Sequence, residues 1–118
     1  MFATDTNPEV RRLGRLALRR DMRDPSDFFV LGDLCAELSH YNGRLLVVYV
    51  GKTLSAYQEA EKIARQDAEV LGLPEEPNDV LLARTAIERY VIWLTKIAKI
   101  VQTPRNIAVA LWAVTEIP

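Results

Sequence analysis

Cysteine, histidine and long apolar runs are all scarce in this 118-residue chain, and each shortage removes a class of function. Cys35 is the only cysteine, so no intrachain disulfide can form. With His40 the only histidine, the usual Cys/His zinc sets cannot be completed within a monomer. Such a chain is expected in a reducing, cytoplasmic setting. Met1 to Pro8 has neither the basic start nor the apolar run of a secretory signal, so export is not expected. Excess charge of one sign is missing too: the formal net charge of −1 gives no overall pull toward nucleic acid or an anionic membrane. No apolar stretch approaches the roughly 18 residues of a membrane span. Arg84, Glu88, Arg89, Lys96 and Lys99 interrupt the most apolar third, and the run from Ile107 to Val114 suits a buried helix.

What is present fits one globular domain over residues 1–118, since a hydrophobic fraction of 49% can build a core at this length. Residues 1–7 read as flexible. Asn7-Pro8-Glu9 then supplies a cap, a first-turn proline and an acid at the positive end of a helix dipole, predicting a helix to about Arg20. Asp24-Pro25-Ser26 opens a second helix to about Leu38, with Phe28, Leu31, Leu34, Cys35 and Leu38 at the steps of a buried face. Ser39 to Gly43 reads as a turn. A third helix is expected from Asn42 or Gly43, and the β-branched residues of Val47 to Val50 mark the one place where a strand competes. Helical spacing of Leu46, Val50, Tyr57, Ala60, Ala64, Ala68 and Leu71 decides for helix, nearly 30 residues long, stopped by Gly72-Leu73-Pro74. A fourth helix should follow from Asp79 to about Gln102 with Asn78 as its cap, and Thr103-Pro104 should open a fifth to about Glu116. The expected fold is all-α, with about five helices.

Phe28, Leu31, Gly32, Cys35, Tyr41 and Gly51 together resemble the tetratricopeptide-repeat pattern of a large aromatic, a Leu-Gly pair, a tyrosine and later small residues. The resemblance spans residues 24–54, and Val10 to Asp24 aligns with the second helix of a preceding repeat, giving a repeat-like part over residues 8–54. It implies a helix-turn-helix core in which Gly32 and Gly51 allow close approach while Phe28 and Tyr41 fill the space around it. Arg44 and Ser39 depart from the family's small residues, and the third helix overruns the repeat, so residues 55–118 form a different, long-helix part. The family's role in protein recognition is the function the resemblance implies.

Arg11, Arg12, Arg15, Arg19, Arg20 and Arg23 form the sharpest charged cluster. Arg12, Arg15, Arg19 and Arg23 share one helix face, and guanidinium groups on one face can hold phosphate, an acidic peptide or RNA. Nearby Asp21, Asp24, Asp27, Asp33 and Glu37 offer intramolecular partners instead. His40 lies near Cys35, but a nucleophile needs a base within reach and a third group to orient it. The acid pairs Glu59/Glu61, Asp67/Glu69 and Glu75/Glu76 lack the Glu-x-x-His spacing of helical metal sites. Gly51-Lys52-Thr53 echoes a phosphate loop whose upstream glycine is replaced by Leu46. No cofactor, metal or catalytic residue is therefore expected. Trp93, Trp112, Ile100 and Leu111 are candidate interface residues, because the fifth helix is apolar on nearly every side. Tyr49, Tyr57 and Tyr90 with the two tryptophans could instead line a pocket between long helices. The function expected is a non-catalytic protein-protein interaction or self-assembly module, with a protein partner or another copy of the chain. The alternative is a nucleic-acid or phosphate-binding regulatory domain that uses the arginine face.

Overall fold

Five helices carry the fold of this computed structural model, which describes residues 2, 4–19, 24–73 and 77–117. In chain order they are α1 (Pro8–Arg19), α2 (Pro25–Leu38), α3 (Val47–Leu71), α4 (Asn78–Ile100) and α5 (Pro104–Val114). Two short strands, β1 (His40–Tyr41) and β2 (Arg44–Leu45), lie between α2 and α3. The all-α expectation holds, and among the described residues no helix is long and apolar enough to cross a membrane.

Local chemistry sets most of the boundaries. Asn7 Oδ1 accepts from the amides of Glu9 and Val10 at 3.0 and 3.2 Å, and Asp24 Oδ1 accepts from the Ser26 amide at 3.0 Å. Thr103 Oγ1 accepts from the Asn106 amide at 3.1 Å, with Pro104 in the first turn of α5. Gly72 closes α3 with φ of 66°, a left-handed cap in which the Leu73 amide reaches back to the Ala68 carbonyl at 3.0 Å. Asn78 does not act as a cap: Pro77 occupies that position, and α4 has no side-chain cap bond.

The third helix begins later than expected, at Val47 rather than at Asn42 or Gly43, for a physical reason. Asn42 and Gly43 have φ of 49° and 75°, both positive, as a two-residue type I′ turn requires. They join β1 and β2 in an antiparallel hairpin with His40 opposite Leu45 and Tyr41 opposite Arg44. The outer bond, from the Leu46 amide to the Ser39 carbonyl at 2.8 Å, delays the helix until Val47. Val47 to Val50, the candidate strand, is its first turn.

α3 lies at the centre and contributes to two cores. On one side Leu54 and Tyr57 join Ile87, Tyr90, Val91 and Leu94 of α4 and Val109 and Ala113 of α5. On the other, Ala56 meets Leu31 and Cys35 of α2 and Val10 of α1. The start of the chain is pinned rather than flexible over the described residues: Asp5 is 4% exposed, pairs with Lys52, and accepts from the Tyr49 hydroxyl at 3.1 Å. The result is flat, with extents of 47 × 32 × 15 Å. Its radius of gyration of 14.9 Å exceeds the roughly 13.5 Å of a compact domain of this length. A molecule this thin leaves one side of its outer helices in water.

Candidate functional site

α5 inverts the usual arrangement of an amphipathic helix. Its buried face is made of small or polar side chains, Asn106, Val109, Ala110 and Ala113, and the larger apolar ones point outward. Leu111 is 65% exposed, Val114 45%, Ile107 43% and Trp112 39%. Beside Trp112, Val47 and Val48 at the start of α3 are exposed as well, and together they frame a shallow depression floored by Gly51 and Leu54. A Cβ at Gly51 would meet only Trp112 Cη2, at 3.6 Å.

The orientation of α5 depends on one buried asparagine. Asn106 is fully buried, and its Nδ2 donates to the carbonyls of Gly43 at 2.7 Å and Val101 at 3.0 Å, while Oδ1 accepts from the Leu45 amide at 3.0 Å. Every donor and acceptor of the side chain that reaches a partner reaches backbone, so the hairpin, the end of α4 and the start of α5 are tied at one point.

A second concave feature lies where α2, β1, α3 and α4 meet, a cleft of about 500 Å³. Tyr57 and Tyr90 form its floor. The Tyr57 hydroxyl donates to Asp33 Oδ1 at 2.6 Å, and burial followed by that bond pushes the phenol far above its ordinary range. Tyr90 donates to Ser39 Oγ at 2.7 Å, and its phenol is also raised, by burial first. Trp93 stacks on Tyr90 at 5.9 Å between ring centroids, and His40 meets Trp93 edge-on at 5.5 Å. Asp33 and Glu37 of α2 and Arg89 of α4 stand at the mouth.

The residues singled out from sequence are scattered by the fold. Leu111 and Trp112 meet in the outward face of α5, whereas Ile100 is 77% exposed at the last residue of α4 and Trp93 belongs to the cleft. Gly32 does allow close approach: a Cβ there would lie 2.5 Å from Tyr57 Cε1. Phe28 packs against the core shared by α1, α2 and α3. Tyr41 does not fill that contact, because the hairpin leaves it 68% exposed. Gly51 faces α5 rather than α2.

Of the arginine face, Arg12 bonds to Glu9 and Arg15 is exposed, while the Arg19 side chain and Arg23 lie outside the described residues, as do Arg20 and Asp21. Glu75 and Glu76 also lie outside them. Cys35 is fully buried, and burial pushes its thiol up to about 11, so it stays protonated at neutral pH while His40 turns to Trp93. Gly51, Lys52 and Thr53 are interior to α3, where their amides serve the helix and Lys52 serves Asp5. Among the described residues, no three His, Cys, Asp or Glu side chains are grouped to hold a metal ion.

Asp33, Glu37 and Arg89 were not recognisable as site residues from composition. The available signal was spacing, since Asp33 and Glu37 on α2, and Arg89 and Trp93 on α4, are pairs one turn apart. No family model matches the chain, and comparison with curated proteins and with solved structures finds no match either.

Proposed function

We propose that this chain is a non-catalytic helical module that assembles through the outward face of α5, its partner being a second copy of itself. The observation that carries the proposal is the inversion of α5, which buries two alanines and a valine while exposing Ile107, Leu111, Trp112 and Val114. With Val47 and Val48 these side chains leave on the order of 500 Å² of apolar surface in water, at the upper end for the largest patch on a monomer. Two such faces in contact, with their rims, reach the roughly 1,200 Å² at which specific interfaces begin. Trp112 and Leu111 are the natural anchors, a half-buried aromatic beside an exposed aliphatic. The resemblance of residues 24–54 to a tetratricopeptide repeat supports a role in protein recognition, and Gly32 packing on Tyr57 accords with it.

Light scattering at two protein concentrations tests this. The mass is expected to rise with concentration to that of two chains. A mass fixed at one chain up to high micromolar concentration would rule the proposal out.

A further inference from the structure

The cleft between α2 and α4 joins two features: rings for a floor and, for a wall, two carboxylates outside any ion pair among the described residues. Tyr57 holds Asp33 by one oxygen, which fixes this carboxylate at the mouth and leaves Oδ2 directed to no partner among the described residues. Glu37 follows one helical turn later on the same face and forms no ion pair among them. Opposite, the Tyr90 stack and the His40 edge contact hold the Trp93 indole in place.

From this geometry we infer that the cleft binds an organic cation, a guanidinium or ammonium group on an aliphatic stem. The π faces of tryptophan and tyrosine attract such a group, and they attract it more strongly in a partly dry site. Two carboxylates on the α2 wall supply the countercharge and accept its N–H bonds. A volume of about 500 Å³ lies in the range of small-ligand pockets. An anion would meet two carboxylates against one arginine, and a neutral apolar ligand would strip water from Asp33 and Glu37 without replacing it. A bare metal ion lacks the donor cluster it needs. Arg89, on the α4 side, repels the cationic end and so directs it toward α2, leaving the stem along the rings. The same chemistry is offered by a free amine and by a lysine or arginine side chain of a peptide.

Both sources can be separated in one titration that reads the fluorescence of Trp93 in the Trp112→Phe variant. Agmatine serves as the free cation, N-acetyl-arginine amide as the peptide side chain, and N-acetyl-glutamate amide as the anionic control. Either cation is expected to give a saturable change with a Kd on the order of millimolar, and the tighter of the two identifies the source. Glu37→Gln should weaken binding several-fold and Arg89→Gln should tighten it, directions that a merely structural role for these exposed residues would not produce. The inference is overturned by no saturation up to about 100 mM cation with unchanged far-ultraviolet circular dichroism. An equal response to the anion, or unchanged affinity in both variants, overturns it too. Self-association through α5 is independent of this result, because the cleft shares no residue with that face.

Discussion

Replacing Asn106 with alanine removes three hydrogen bonds, one of them fully buried and two partly buried. The Leu45 amide loses its acceptor, and the carbonyls of Gly43 and Val101 lose their donor. A buried group left unpaired costs about 1–3 kcal/mol. The two carbonyls each keep a second lone pair, and Gly43 is only half-buried, so the amide carries the largest share. Together with the small cavity, the loss should be roughly 3–5 kcal/mol. That is a large part of the ~5–15 kcal/mol that holds a domain folded. In thermal unfolding followed by circular dichroism, the midpoint should fall by about 10–20 °C. In urea, the midpoint should drop with an unchanged slope. Asn106→Asp sharpens the test, because it keeps the acceptor for Leu45 but aims a carboxylate at two carbonyls. Burial and those carbonyls raise the folded pKa of the new acid above its unfolded value, so the charged form is penalised only in the folded state. The deficit of the Asp variant relative to the wild type should therefore be largest at neutral pH and shrink as pH falls toward the unfolded carboxyl value. A loss below about 1 kcal/mol for Asn106→Ala, or a deficit independent of pH for Asn106→Asp, would refute the role given to this side chain.

Gly32→Ala should destabilise the protein by about 1–3 kcal/mol, because its Cβ would collide with a Tyr57 ring that is itself buried and bonded to Asp33; an unchanged urea midpoint would show that the ring moves freely. Gly51→Ala has only ordinary contact to make, so it should gain up to ~1 kcal/mol from helix propensity, and a loss in the same urea titration would contradict the packing described for Trp112. Alkaline pH should weaken the fold: the Cys35 thiol ionises at about 9 when unfolded but about 11 when buried, so between those values the unfolded state sheds its proton first and stability falls. The contribution is on the order of 2–3 kcal/mol, and Cys35→Ala should flatten that part of the stability profile measured by urea unfolding at each pH. RNA or single-stranded DNA should show no salt-sensitive binding in a fluorescence titration at low salt, and retention lost on Arg12→Glu with Arg15→Glu would favour the arginine face instead.

Most elements controlled by neighbours in sequence were legible from the order of residues alone, Asn78 being the exception because Pro77 takes the cap position of α4. Asn7, Asp24, Thr103 and Gly72 act on amides or carbonyls within a few residues, and each does so where expected. The hairpin was not, because two-residue strands carry almost no periodicity and Asn42-Gly43 serves equally well to break a helix. The β-branched run of Val47 to Val50 pointed to the wrong place, since tertiary packing overrides propensity there. Asn106 looked like one polar residue at the edge of an apolar run, and two of its three partners lie 61 and 63 residues earlier in the chain. That α5 is apolar on nearly every side was readable from its composition, but the run from Ile107 to Val114 suited a buried helix equally well, and the structure instead leaves Ile107, Leu111, Trp112 and Val114 exposed. Which of its side chains face water depends on Asn106 and the hairpin. The cleft needed the register of α2 against α4, which no local pattern encodes.

Sedimentation equilibrium of the wild type beside Leu111→Glu addresses the outward face of α5 most directly. Leu111 is 65% exposed, so a glutamate there leaves the folded chain intact while placing a charge at the centre of the apolar face. Expected is a concentration-dependent mass approaching two chains for the wild type, and a single-chain mass for the variant at every concentration. Equal masses for the two proteins, whether both one chain or both two, would contradict assembly through α5.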